Sequence, residues 1–267
     1  MNADLGITGR VLRAARAQGR AGLVAYLPLG YPSVSDSYTA MAIAAQAADL
    51  VEIGLPYSDP VMDGATIQRA TQRALERGVR VRDVFGACEA VAAEGKHGLV
   101  MTYWNLVERY GVDAFARDLA AAGGAGLITP DLPPDEAAEW IEASDAHGLD
   151  RVFLVAPGST DQRIGAAVAA CRGWVYATSV MGVTGARSQT SQDAPLIVAR
   201  ARAAGDLPVG VGLGVSTGDQ AAAVAAYADA VIVGSALVES LDGSGCRDYD
   251  RLTDRLEELA KGVRRAH

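Results

Sequence analysis

Eight short runs rich in Val, Ile and Leu, separated by Ala-rich stretches of helical character, predict an α/β fold of the (β/α)8 TIM-barrel class. The length of 267 residues suits it, since such barrels take roughly 250 residues. Half of the residues are hydrophobic, enough to fill a large core. A doubly wound open sheet is the alternative topology for the same alternation. No composition shift or linker divides the chain, so residues 1–267 read as a single barrel domain.

The elements follow in order. Ile7–Ala17 reads as an extra N-terminal helix, with Val11, Ala14 and Ala15 on one face, suited to capping the bottom of the barrel. Strands are expected at Leu23–Pro28, Asp49–Leu55, Gly98–Tyr103, Ala125–Thr129, Arg151–Ala156, Trp174–Ser179, Pro208–Leu213 and Ala228–Val233. Helices are expected at Ser35–Ala48, Arg82–Ala93, Val112–Ala122, Asp135–His147, Thr160–Ala170, Ala194–Ala204 and Thr217–Ala226. Ala65–Arg77 reads as an additional helix after the second strand. Barrel enzymes place such insertions on the catalytic face, where function is built from the βα loops. Lys261, Arg264 and Arg265 suit the last turn of a closing helix, where cations complement the helix dipole.

Charge and cysteine usage exclude several classes. The net charge is −8, and no basic run is long enough to form a nucleic-acid surface. Cys88, Cys171 and Cys246 are odd in number and far apart, so neither a metal site nor a disulfide framework is expected. Free thiols fit a reducing cytoplasm. The N-terminus lacks the apolar core of a secretory signal. No apolar segment reaches the roughly 18 residues of a membrane span.

The stretch Val51–Gln68, VEIGLPYSDPVMDGATIQ, carries the strongest chemical signal. It sets Glu52 inside an apolar strand, where an ionised carboxylate without partners is costly. At the C-terminal end of a barrel strand, such a group points to catalysis, although a salt bridge would also satisfy it. Asp59 and Asp63 follow in the loop. Gly212–Ser216 and Gly234-Ser235 end the seventh and eighth strands, the usual place of a phosphate cradle in this barrel class. Ser235 reads as the N-cap of a short helix over Ala236–Leu241, whose free N–H groups would face an anion. The loop Met181–Ser191 after the sixth strand is long, small and polar, as a lid over substrate would be.

These residues resemble the α subunit of tryptophan synthase from about Val11 to Leu241. The resemblance rests on Leu29-Gly30-Tyr31-Pro32, the Glu52–Gln68 block, Tyr103-Trp104-Asn105, Pro130-Asp131-Leu132-Pro133, Gly182-Val183-Thr184-Gly185, Gly212–Ser216 and Gly234-Ser235. It implies a retro-aldol cleavage of indole-3-glycerol phosphate to indole and glyceraldehyde 3-phosphate, with no metal and no organic cofactor in this subunit. Glu52 matches the general acid–base, and its apolar strand predicts a raised pKa. Asp63 matches the carboxylate that accepts the indole N–H bond. Thr184 matches the lid residue that bonds this Asp on closure. Tyr26, Ile67, Met101, Ile128 and Tyr176 would line the substrate pocket. Gly185, Gly214, Gly234 and Ser235 would hold the phosphate. Asp59 and Pro60 match the loop that contacts the pyridoxal-phosphate-dependent β subunit, in an αββα complex. Asp131 matches a residue that supports closure of the neighbouring loops.

The chain departs from the family pattern at Tyr31, Met62, Ala65, Trp104, Val180 and Met181, which puts lid dynamics and partner coupling in question more than the chemistry. Besides a stand-alone indole-releasing lyase, two rival readings remain at this point. One is another phosphate-binding barrel, such as a sugar-phosphate isomerase or epimerase. The other is a subunit whose chief role is to activate its β partner.

Overall fold

The computed structural model describes residues 5–178, 193–212, 214–241 and 249–265. Its elements run α1 (Gly6–Ala17), β1 (Gly22–Pro28), α2 (Val34–Ala47), β2 (Leu50–Gly54), α3 (Ala65–Glu76), α4 (Asp83–Ala93), β3 (His97–Met101), α5 (Trp104–Tyr110), α6 (Val112–Ala121) and β4 (Gly124–Ile128). They continue through α7 (Ala138–His147), β5 (Asp150–Val152), β6 (Leu154–Val155), α8 (Asp161–Ala170), β7 (Val175–Thr178) and α9 (Asp193–Ala204). The last are β8 (Val209–Gly212), α10 (Gly218–Ala225), β9 (Ala230–Val233), α11 (Ser235–Leu241) and α12 (Tyr249–Arg264). The strands follow the sheet order β5-β4-β3-β2-β1-β9-β8-β7-β6, and every paired neighbour is parallel. This is the expected barrel and excludes the open doubly wound sheet.

The expected fifth strand is divided into β5 and β6 at Phe153. The Phe153 N–H donates to the Cys171 thiol at 3.3 Å, and its carbonyl accepts from the Tyr176 N–H at 3.2 Å. The chain thereby changes partner: β5 pairs with β4 and β6 pairs with β7, which closes the ring. The helix expected at Asp135–His147 is also divided. A 3-10 turn over Pro134–Glu136 precedes α7, because Pro133 and Pro134 lack N–H donors and fix their own φ. Helix α5 was not expected; Gly111, at φ 99°, separates its seven residues from α6. Ser33, Thr160 and Thr217 cap α2, α8 and α10 by accepting the N–H three residues on.

Period-two alternation sorts the strand side chains into two layers. Val51, Ile53 and Val100 face the helices. Val24, Leu50, Leu99, Val152, Trp174 and Ile232 fill the barrel interior. Two glycines of β8 make room for the aromatic rings of that interior. A Cβ at Gly210 would lie 2.6 Å from the Trp174 ring, and one at Gly212 would lie 2.5 Å from the Tyr176 hydroxyl.

Helix α1 closes the bottom of the barrel. Leu12 is fully buried in the interior cluster. The fully buried Asp150 accepts from the N–H groups of Ile7 at 3.1 Å and Thr8 at 2.7 Å, and from the Thr8 hydroxyl at 2.6 Å. Removing this carboxylate would strand two buried donors of Thr8 and the part-buried N–H of Ile7 at once. Asp150→Ala is therefore expected to cost about 3 kcal/mol. Urea unfolding checks this, as a lower midpoint at unchanged slope.

Candidate active site

Leu50 lies in the barrel interior and Val51 in the helix layer, so the alternation along β2 directs Glu52 inward. In register, Glu52 pairs with Tyr26 of β1 and Leu99 of β3. Glu52 is only 1% exposed, and its Oε2 has no hydrogen-bond partner among the described residues. The salt bridge that would have explained a buried Glu is thus missing among those residues. Burial, reinforced by the charge of Asp63, pushes the Glu52 carboxyl up to about 8.

Asp63 is the second buried carboxylate of this face, and burial pushes it up to about 6. Its backbone is held on both sides. The Gln68 side-chain amide donates to the Asp63 carbonyl at 2.8 Å. The N–H groups of the two preceding residues, Val61 and Met62, donate to the Tyr103 hydroxyl at 2.8 and 3.1 Å. Sequence reasoning assigned no role to Tyr103 or Gln68. The position of Tyr103 just beyond β3, on the catalytic face, was the available signal.

The predicted apolar wall comes together around the two carboxylates. Tyr26 and Ile67 cluster with Tyr31, Ala70 and Val238, and Met101 packs against them. Met101 also joins Ile128 and Tyr176 at the barrel interior, so it links the two groups. Gly54 makes room for Tyr26, since a Cβ there would meet its hydroxyl at 2.3 Å. Burial and the charges of Glu52 and Asp63 raise both the Tyr26 and Tyr176 phenols, which keeps them as neutral hydroxyls.

The glycine-rich ends of β8 and β9 lie side by side, because Gly212 pairs with Ile232 in register. Gly214 takes φ 68°, a conformation open to glycine, and Gly234 follows β9. The expected cap is shifted by one residue. Ser235 is the first residue of α11, and the Gly234 carbonyl accepts from the N–H groups of Leu237 and Val238. Helix geometry leaves the first N–H groups of α11 without intrahelical acceptors. Thr184, Gly185, Val180 and Met181 lie outside the described residues.

Asp59 sits in an exposed loop beside Pro60 and accepts from the Ser58 hydroxyl at 2.6 Å; Val61 next to them is 70% exposed. Asp131 accepts the Trp104 N–H with both oxygens, at 3.0 and 3.1 Å, and so ties the loops after β3 and β4. Among the described residues, no group of three His, Cys, Asp or Glu side chains is placed to hold a metal. His97 begins β3, at the opposite end of the barrel, and His147 pairs with Asp113. No histidine among the described residues thus joins the site, as a metal-assisted isomerase would need.

A carboxyl raised by burial has a consequence for stability. The folded state holds the Glu52 proton up to pH about 8, whereas an ordinary Glu releases it near 4.5. Stability from this group is therefore full below about pH 4.5 and is lost as pH rises towards 8. The loss is about 1.4 kcal/mol per unit, several kcal/mol in all. Glu52→Gln, which cannot ionise, is expected to be more stable than wild type at pH 9 and equal to it at pH 4. Denaturant unfolding of both proteins across that range is the measurement.

The comparisons with known proteins place the chain in one family. Residues 12–266 match the family model described as tryptophan synthase alpha chain. The chain is 60% identical over 257 residues to a tryptophan synthase alpha chain of Mycobacterium marinum, covering 96% of this chain and 94% of that one. It superposes on a chain of Mycobacterium tuberculosis tryptophan synthase with a TM-score of 0.92, at 57% identity, covering 99% of each. It is similar also to a chain of the tryptophan synthase complex from Pyrococcus furiosus, with a TM-score of 0.83 at 30% identity over 90% of this chain and 98% of that one. A barrel with two coupled carboxylates at its C-terminal face, matched nearly end to end by these relatives, leaves one assignment: the chain belongs to the tryptophan synthase alpha chain family.

Proposed function

We propose that this chain cleaves indole-3-glycerol phosphate to indole and glyceraldehyde 3-phosphate, with Glu52 moving the protons and Asp63 holding the indole ring. The observation that carries the reading is the buried Glu52, whose Oε2 has no hydrogen-bond partner among the described residues and whose carboxyl is raised by burial and by the charge of Asp63.

The chemistry follows from the two ends of the bond that breaks. Glu52 gives its proton to indole C3, and Asp63 accepts the ring N–H and stabilises the positive indolenine. The Glu52 carboxylate then takes the proton from the side-chain hydroxyl. As that oxygen becomes an aldehyde, the C–C electron pair returns to the ring and restores the aromatic indole. Glu52 ends protonated, so atoms and charge balance with no electron transferred to or from another group.

Tyr26, Ile67, Met101, Ile128 and Tyr176 form the walls that a flat aromatic ring requires. Thr184 bonds Asp63 when the lid closes. Gly185, Gly214, Gly234 and Ser235 bind the phosphate through backbone N–H groups at α11 and the glycine turns. The chain acts as one barrel domain and joins a pyridoxal-phosphate-dependent β subunit in an αββα complex. The exposed loop of Asp59, Pro60 and Val61 is the surface for that subunit, and the Pyrococcus furiosus relative is itself part of a complex. No helix among the described residues is long and apolar enough to cross a membrane. The buried free thiols Cys88 and Cys171 support a cytoplasmic location.

The test is indole release from indole-3-glycerol phosphate, with and without the β subunit. Release that rises on adding the β subunit is the expected result. Stimulated β activity without any indole release would overturn the lyase reading and leave a regulatory subunit.

A further inference from the structure

The loop that carries Asp63 is held after that residue by the Gln68 side-chain amide, which donates to the Asp63 carbonyl. Residues 55–64 form neither helix nor strand, and Ser58, Asp59 and Val61 are exposed. Such a loop does not by itself fix a carboxylate to the fraction of an ångström that catalysis demands. The restraint on the approach to Asp63 comes from the neighbouring loop. Tyr103 is 5% exposed, and its hydroxyl accepts the N–H groups of both Val61 and Met62. Two consecutive N–H groups on one oxygen fix the direction of the chain as it enters Asp63.

The Tyr103 ring is itself fixed. It stacks on Tyr57 with ring centroids 4.7 Å apart, and the Tyr57 hydroxyl accepts from the Asn105 side-chain amide at 3.2 Å. Tyr103 is the N-cap of α5, and the next N–H, that of Trp104, is gripped by both oxygens of Asp131. The Tyr103 phenol thereby joins the loops after β2 and β3, and Asp131 ties the loop after β4 to the residue next to it.

We propose that Tyr103 is a positioning residue for the reaction: its hydroxyl, anchored by Tyr57 and Asp131, orients Asp63 towards the indole N–H. The proposal rests on the assignment of Asp63 as the carboxylate that binds that N–H. It adds that this carboxylate acts at full strength only while the Tyr103 hydroxyl holds the two preceding N–H groups.

Tyr103→Phe tests it, because the ring and its stacking remain and only the acceptor is lost. Both N–H groups are only part-buried, so the unfolding midpoint should fall by no more than about 5 °C. In the assembled αββα enzyme, kcat for indole release is expected to fall about ten- to a hundredfold, with KM changed less than about threefold. In an Asp63→Asn background the same change should cost less than about twofold further, since there is no charge left to aim.

An equal loss in both backgrounds, a rise in KM alone, or unchanged kinetics would each overturn the positioning role. Asp63→Asn at full activity would instead remove the assignment beneath it. The single variants thus separate failure of the inference from failure of the functional reading.

Discussion

Glu52→Gln is expected to lose indole release by at least about 10³-fold while keeping the fold. The magnitude follows from the double duty the proposed mechanism gives one group, which protonates indole C3 and later takes the hydroxyl proton; general acid–base catalysis contributes about 10² to 10⁴. The retained fold follows from charge. Below pH 8 the buried group is already a neutral acid, and an amide of the same shape replaces it without adding a buried charge. The loss should lie in kcat, because the side chain acts on transferring protons and contributes little to ground-state binding. The same variant is the one expected to gain stability at high pH. A single substitution that raises stability and removes activity would show that the strain of burying this carboxyl serves the chemistry. Activity within tenfold of wild type would show that another group moves the proton.

Much of this site is legible in the residues, for identifiable reasons. The strands carry their own alternation, and an acid between Val51 and Ile53 is conspicuous because burial of charge is costly. What stayed hidden depends on contacts distant in the chain. The division of the fifth strand is set by the Cys171 thiol, 18 positions from Phe153. The one-residue shift of the α11 start reflects Gly234 supplying the first carbonyl, a matter of local dihedrals that a Ser at 235 obscures. Tyr103 is the clearest case. Its partners lie 42 and 41 positions earlier, in a loop with no periodicity. A tyrosine after a strand looks the same whether it packs in a wall or holds a catalytic loop.

Asp63→Asn is expected to reduce indole release by about 10² to 10³, the scale on which loss of one group aimed at developing charge is felt. Its pH dependence carries more information than its size. Under the proposed mechanism, the productive form of wild type has Glu52 protonated and Asp63 ionised. With Asp63 pushed up to about 6 and Glu52 to about 8, kcat/KM should rise through the lower value and fall through the higher. Part of the upper value comes from the Asp63 charge itself, so both limbs belong to the pair. Removing that charge should erase the acid limb and move the alkaline limb down at once, because neutral Asn no longer resists ionisation of Glu52. A wall residue would change neither limb. If the acid limb vanishes while the alkaline limb stays in place, the two carboxylates do not sense each other and Glu52 is raised by burial alone. If the acid limb survives, some other group must be ionised for cleavage, and Asp63 is not the residue that holds the indole.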